Sequence, residues 1–244
     1  MDRSGWTWEF LRRNQDYCKC FEQYQNLVPI CEKHSSGAKL YHLSKPCLQA
    51  QIWGLQFLVN PELKALNTDI FWQDENLKNK LFMKASEDLE GDFDISQMKC
   101  HKTILIERKR ELIQLKHSAH NITLISQGSS VRDGRLKVSF ECHGLSSVKN
   151  MATNLNFLHQ VTSQTSNNKT TRWTNSTQRL RDCLIALDAS LNGSSYRDIA
   201  SLLYGEDRTD EAWKSPSRSL KDRVRRLVKR GYELMNYDYL SLLS

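Results

Sequence analysis

The segment from Lys214 to Tyr232 has the sequence KSPSRSLKDRVRRLVKRGY. It holds eight basic residues and a single acid, Asp222, so its formal charge is +7. The whole chain of 244 residues also carries +7, because 35 basic residues face 28 acidic ones. The positive excess therefore lies in one segment, and charge concentrated in this way attracts polyanions such as nucleic acids.

Apolar residues recur through this segment at intervals of three and four, which is the spacing of one face of an α-helix. They are Leu220, Val224, Leu227, Gly231 and Leu234. Two helices are predicted upstream, over 177–191 and 196–203, with a turn at 192–195 that contains Gly193 between them. Two helices joined by a glycine turn and followed by a basic helix are typical of a helix-turn-helix protein, whose last helix enters the major groove of DNA.

The connection between Gly205 and Ser217 departs from that motif, because it is longer than the usual turn of about three to four residues. An extra helical turn is predicted there over 210–214, with Trp213 inserted into the core. A solvated charged face on a three-helix bundle is the alternative interpretation, since a charge run alone does not identify a ligand.

The C-terminal region resembles the RovC-like DNA-binding domain family of bacterial regulators. The resemblance is carried by SYRDIA (195–200), LYG (203–205), WK (213–214) and SLKDRVRRLVKRG (219–231). The stretch WEFLRRNQDY (8–17) is similar to a short N-terminal domain that often accompanies it, with Gln15 where many relatives have Pro. The resemblance implies a DNA-binding transcription regulator, and it adds the expectation of a higher-order homo-oligomer that activates type VI secretion genes.

Two roles are predicted for the polar side chains of this region. Phosphate neutralisation is assigned to Lys214, Arg226, Lys229 and Arg230. Contact with base edges is assigned to residues near the start of the last helix, namely Ser217, Arg218, Lys221, Asp222 and Arg225. Arginine suits guanine because its fork matches O6 and N7 together. Arg197, within the resembling segment, completes the predicted DNA-binding set.

The predicted fold class is α+β, with a mixed N-terminal domain and an all-α, helix-turn-helix-like C-terminal domain. The boundaries are 1–161 for an oligomerisation or regulatory domain, 162–175 for a linker rich in Ser, Thr, Asn and Gln, and 176–244 for the DNA-binding domain. Period-two alternation after the turn at Asp133 and Gly134 predicts a small antiparallel sheet of three or four strands, roughly over 102–143. A helix over 103–117 is the alternative that the apolar spacing leaves open.

The first sixty residues give two further predictions. An aromatic stripe at helical spacing predicts one helix from Trp6 to about Val28, and Arg12 and Arg13 are candidates for reaching outward to a partner. The apolar run from Gln51 to Val59 predicts a buried strand.

Enzymatic and metal-binding functions find little support. The seven histidines are scattered singly, and the sequence contains neither a glycine-rich phosphate loop nor a nucleophile elbow. A metal site from Cys18, Cys20, Cys31 and His34 is disfavoured, because Cys18 and Cys20 have one intervening residue and diverge on a helix. The chain is therefore predicted to be a non-enzyme without a cofactor, and its seven cysteines to be free thiols.

The predicted partners follow from these points. They are double-stranded promoter DNA, further copies of the same chain in a dimer or larger homo-oligomer, and RNA polymerase. An RNA or an acidic protein is the alternative partner of the same basic helix. No apolar run approaches the ~18 residues of a membrane span, and no signal peptide is present, so a bacterial cytoplasmic location is expected.

Overall fold

The computed structural model describes residues 1–88, 90–117, 120–163, 174–215 and 217–243. Within these residues the fold is α+β, as predicted, with eight α-helices and one seven-stranded sheet. The helices are α1 (Arg3–Leu11), α2 (Gln15–Tyr24), α3 (Leu48–Gln51), α4 (Val148–Thr162), α5 (Asn175–Leu191), α6 (Tyr196–Tyr204), α7 (Glu206–Lys214) and α8 (Ser219–Glu233). The strands are β1 (Cys31–Lys33), β2 (Lys39–His42), β3 (Lys80–Glu87), β4 (His101–Ile106), β5 (Glu111–His117), β6 (His120–Gly128) and β7 (Leu136–Glu141).

The sheet is larger than predicted and mixed in orientation. Its strand order is β1-β2-β4-β5-β6-β3-β7, in which β2 pairs with β4 and β3 with β6 in parallel, while the other four pairs are antiparallel. The predicted small antiparallel sheet over 102–143 was therefore wrong in size and orientation, although β4 to β7 lie in that range. The extra strands come from the N-terminal half, where short exposed segments such as Cys31–Lys33 show no alternation. The helix considered over 103–117 is instead the β4–β5 hairpin.

Both faces of the central strands are buried, because consecutive side chains point to opposite faces. Leu105 and Leu112 contribute to a cluster on one face, and Ile104 and Ile113 to a cluster on the other. Helix α4 adds Phe157 to the second cluster. The first cluster is completed by α1 and α2, the loops after α3, and the C-terminal helices.

The N-terminal helix is interrupted where one continuous helix was predicted. The side chain of Asn14 accepts hydrogen bonds from the backbone N–H groups of Asp16 and Tyr17 and so caps α2 separately from α1. The predicted strand over 51–59 is also wrong, because this segment holds the end of α3, turns and irregular backbone, and its one strand-like contact is an isolated bridge from Leu55 to Trp72. The hydroxyl of Tyr17 donates to the carbonyl of Val59 and accepts from the N–H of Val59. Both backbone groups of Val59 are thus hydrogen-bonded without a neighbouring strand.

Residues from both ends of the chain share one hydrophobic cluster. Trp8, Tyr17 and Trp72 pack in the same cluster as Leu187 of α5 and Tyr239 of the C-terminal segment. The division into 1–161, 162–175 and 176–244 stays a prediction, and residues 164–173 of the predicted linker lie outside the described residues.

Helices α5 to α8 surround a smaller cluster that contains Ile199, Ala200 and Val224. Helix α6 begins at a capping box in which the side chains of Ser195 and Asp198 each accept a hydrogen bond from the other's backbone N–H. Gly205, with φ of 89°, separates α6 from α7. The single helical turn predicted before Lys214 is thus a full nine-residue helix. None of the helices in the described ranges has the length and apolarity that a membrane crossing requires.

Candidate nucleic-acid interface

Helix α8 is fixed by its apolar face. Leu220, Val224, Val228 and Gly231 are buried on that face, so the predicted periodicity is confirmed, with Val228 in addition. Gly231 is required by a close approach to α5, because a Cβ atom there would lie 2.9 Å from Cβ of Leu187. The basic side chains of α8 are therefore carried on a helix that is packed against the protein core along its length.

The predicted DNA-binding residues lie on α8, just before it, or on the neighbouring helices α6 and α7. Eight of them are exposed, namely Lys214, Ser217, Arg218, Lys221, Arg225, Arg226, Lys229 and Arg197. Asp222 and Arg230 are of intermediate exposure. The side chains of Arg225 and Lys229 are 68% and 75% exposed, so both point into solvent.

Five of the six basic residues of α8 form two stripes along the exposed surface of the helix, because residues four apart share a side. Lys221, Arg225 and Lys229 form one stripe, and Arg226 and Arg230 belong to the other. Asp222 stands at the start of the second stripe, and Glu233 stands at the end of the first. Their ion pairs with Arg225 (3.4 Å) and Lys229 (3.9 Å) are long and exposed, and such pairs contribute little.

Two predicted residues are engaged within the molecule. Arg230 donates to Asp238 at 2.6 Å and to Glu233 at 3.2 Å, and the hydrogen bond to Asp238 raises the pKa of the Arg230 guanidinium. Arg197 donates to Asp210 of α7 at 2.7 Å, which raises its pKa in the same way. Arg218 and Arg226 make no salt bridge within the described chain. Both residues are exposed, so their guanidinium groups are available to a ligand.

Aromatic side chains support several of the cations, which sequence reasoning missed. The ammonium of Lys221 lies 5.2 Å from the centre of the Trp213 ring, and the guanidinium of Arg223 lies 5.1 Å from the centre of the Tyr204 ring. Such cation–π contacts hold long side chains in place without neutralising them. Lys221 follows Trp213 by eight positions and Arg223 follows Tyr204 by nineteen, so neither contact has a local signal in the sequence.

A shallow groove runs beside the first stripe. It is lined by Arg225 and Lys229 together with Tyr196, Tyr232 and Tyr237. Tyr237 is 82% exposed and Tyr196 is 48% exposed, so the groove offers aromatic surface next to positive charge.

Helix α7 carries the opposite charge. Glu206, Asp207, Asp210 and Glu211 lie on it, against Arg208 and Lys214. A duplex bound to α8 would be repelled by these carboxylates unless α7 faced away from it. Because α7 lies between α6 and α8 in the sequence, the arrangement also differs from three helices joined by short turns.

The residues considered for metal binding do not come together. No group of three His, Cys, Asp or Glu side chains able to hold a metal ion occurs among the residues the structure describes. Cys18, Cys20 and Cys31 are free thiols. Burial raises the pKa of Cys183 to about 11, so this thiol is not activated as a nucleophile.

Two protein-family models match the chain. Residues 144–244 match the RovC DNA-binding domain, described as a type VI secretion system transcription factor DNA-binding domain. Residues 1–58 match a proteobacterial transcriptional regulator-like domain. No curated protein matches the chain. The two matches confirm the resemblance seen in the sequence, and they identify a transcriptional regulator that carries a DNA-binding domain in the region of α4 to α8.

Proposed function

We propose that this RovC-like transcriptional regulator reads duplex DNA in a sequence-specific manner with α8 and the residues just before it. The observation that carries the proposal is the pairing of a buried apolar face with an exposed basic face on one helix. A rigid support of this kind positions charged side chains at low entropic cost, which suits recognition of a groove.

The proposed contacts divide into two sets. Lys214, Arg226 and Lys229 neutralise phosphates, which supplies most of the affinity. Lys221, Asp222 and Arg225 reach base edges, together with Ser217 and Arg218 at the start of the helix. Arg197 and Arg230 contribute less, because Asp210 and Asp238 compete for their guanidinium groups.

The docking geometry follows from the charges of the helices. Helix α8 enters the major groove in a helix-turn-helix-like manner, α5 and α6 brace it from behind, and the acidic α7 lies away from the phosphates. The C-terminal end of α7 approaches the DNA backbone through Lys214, and the residue just before α8 approaches it through Arg218.

The biological role rests on family likeness. We infer an activator of type VI secretion genes that binds as a homo-oligomer in the bacterial cytoplasm, because one short helix reads few bases and several copies extend the site. The N-terminal region supplies contacts between copies or a surface for RNA polymerase.

A second candidate function is binding of single-stranded nucleic acid. The exposed rings of Tyr196 and Tyr237 beside Arg225 favour it, since unpaired bases stack on aromatic side chains next to cations. Preference for a single strand over the duplex of the same sequence distinguishes this function from the first.

An unbiased binding-site selection with the full chain, followed by fluorescence anisotropy, tests the proposal. Arg225→Ala is expected to weaken binding to the selected duplex by about 1–3 kcal/mol and to relax preference at one base pair. Lys45→Ala, an exposed lysine in the N-terminal region, serves as the control and leaves affinity unchanged. Selection of no common duplex sequence, or tighter binding of the single strand, would contradict duplex reading.

A further inference from the structure

A polar pocket lies at one end of the sheet and is built from elements other than α5 to α8. Its walls are the first turn of α1 and the loop over 65–70, and its volume is about 460 Å³. The ionisable side chains around it are Asp2, Lys39, Asp69, His101, Lys116 and His120. A pocket of this size accommodates a small molecule.

The floor of the pocket is the carboxylate of Asp69, which is 3% exposed. Four side chains donate to it: Lys39 at 2.7 Å, His101 at 3.0 Å, Thr103 at 3.1 Å and Tyr41 at 3.3 Å. Burial alone would raise the pKa of Asp69, but the hydrogen bonds from Lys39 and His101 outweigh it and lower the pKa to about 2. A carboxylate accepts about four hydrogen bonds, so Asp69 has no capacity left for a cationic ligand.

The groups that remain available in the pocket are cations or hydrogen-bond donors. His101 and Lys116 are paired across β4 and β5, and Lys116 and Asn121 across β5 and β6, so these side chains lie in one row on the same face. Lys116 makes no hydrogen bond or salt bridge to any residue that the structure describes. His101 donates through Nε2 to Asp69, and its Nδ1, which has no described partner, is a donor only when the ring is doubly protonated.

The second carboxylate of the pocket is also compensated. Asp2 accepts from the backbone N–H of Gly5 at 2.7 Å and from the side chain of Asn121 at 2.6 Å. Lys39 gives one of its three ammonium hydrogens to Asp69 and retains the others. The hydrogen-bonding capacity left in the pocket is therefore that of donors on the two lysine ammonium groups.

We propose that this pocket binds a small anion with a phosphate or carboxylate group, held by Lys116 and Lys39, with His101 as a further donor when its ring is doubly protonated. Asp69 is a positioning residue that fixes Lys39 and His101 toward the ligand. The pocket volume exceeds that of one inorganic phosphate, so the proposed ligand is a phosphate ester or a polycarboxylate.

Isothermal titration calorimetry with the full chain at constant ionic strength tests the site. The probes are citrate, adenosine monophosphate and inorganic phosphate, with adenosine and chloride as uncharged and monovalent references. We expect citrate or adenosine monophosphate to bind, and Lys116→Met to weaken that binding by about tenfold or more. Lys116→Arg retains it, because the positive charge is kept.

Two matched variants separate the pocket from α8, which also attracts anions. Lys137→Met removes the same charge from the edge strand β7, and Arg226→Gln removes a charge from α8. Both are expected to bind the probe within about twofold of the unmodified protein. Binding that is lost in Arg226→Gln but kept in Lys116→Met, or no probe binding more tightly than chloride, overturns the pocket proposal. Either outcome leaves DNA binding by α8 standing, and circular dichroism establishes that each variant is folded.

Discussion

Two pairs of adjacent arginines are used in opposite ways in this chain. Arg12 and Arg13 point inward, whereas Arg225 and Arg226 lie exposed on α8. Arg12 donates to Glu9 at 2.6 Å and to the carbonyl of Pro61 at 3.1 Å. Arg13 donates to Glu9 at 2.9 Å and binds both carboxylate oxygens of Asp188 on α5.

The difference shows that an arginine pair is not in itself a binding signal. Arg13 finds its carboxylate 175 residues away in the sequence, where no local pattern reveals it. The prediction that Arg12 and Arg13 reach outward was therefore wrong. Arg226 has no such partner in the described structure, and its charge remains available. The proposed function therefore gives Arg12 and Arg13 a role in fold stability and Arg225 and Arg226 a role in DNA binding, and the two roles can be tested separately.

The largest effect is expected from Arg13→Ala. The substitution removes the bidentate pair that joins α1 to α5 and leaves Glu9, which is 9% exposed, with one partner fewer. We expect a loss of about 2–3 kcal/mol in the free energy of unfolding, measured by urea denaturation. The loss is smaller than for breaking a fully buried ion pair, because Asp188 is partly exposed and water can solvate its carboxylate after the substitution. Arg226→Ala is the matched control, with an expected change of about 0.5 kcal/mol or less. Equal free energies of unfolding for the two variants would show that the inward arginines stabilise the fold no more than the exposed ones.

Asp69 is a buried carboxylate whose contribution to stability, like that of the inward arginines, can be measured, in this case through its dependence on pH. Its pKa is lowered from 3.8 to about 2 in the folded protein, so its contribution to stability is complete above about pH 4 and is lost as the pH falls toward 2. The shift corresponds to about 2 kcal/mol. The difference in unfolding free energy between the unmodified protein and Asp69→Asn is expected to shrink over that pH range. If the difference in unfolding free energy between the two proteins stays constant from pH 6 to pH 2, the hydrogen bonds to the ionised Asp69 carboxylate do not stabilise the fold.

A smaller effect is expected within α8 itself. Arg226→Ala is predicted to weaken duplex binding by about 1 kcal/mol, as expected for a phosphate contact, and Arg230→Ala by about half of that or less. The reason is that Arg230 already donates to Asp238 at 2.6 Å. Fluorescence anisotropy on the selected duplex measures both. A larger loss for Arg230 than for Arg226 would mean that the intramolecular pair opens on DNA.

Local features were predictable where the signal lies within a few residues. The apolar face of α8 follows from Leu220, Val224 and Gly231, and the extent of α6 follows from Tyr196 and the stop at Gly205. The alternation around Val138 likewise placed β7. In each case helical or strand periodicity and glycine geometry fix the element independently of the rest of the chain.

Features that depend on distant partners were not predictable. Parallel pairing of Leu40 with Ile104 and of Leu81 with Leu124 requires contacts across more than forty residues. The acidic α7 was taken for a single turn, because its polar sequence lacks an apolar stripe. For the candidate site, exposure of Arg225 could be predicted from helical spacing, whereas capture of Arg197 by Asp210 depends on how α6 packs on α7.

The salt dependence of duplex affinity shows whether exposed charge on α8 binds the DNA backbone. For the unmodified protein, the logarithm of the association constant is expected to fall linearly with the logarithm of salt concentration, by about 0.9 per phosphate contacted. Arg226→Ala is expected to reduce that slope by about one, and Arg13→Ala to leave it unchanged as long as the protein is folded. An affinity that does not change with salt concentration, or an unchanged slope in Arg226→Ala, would contradict binding of the DNA backbone by α8.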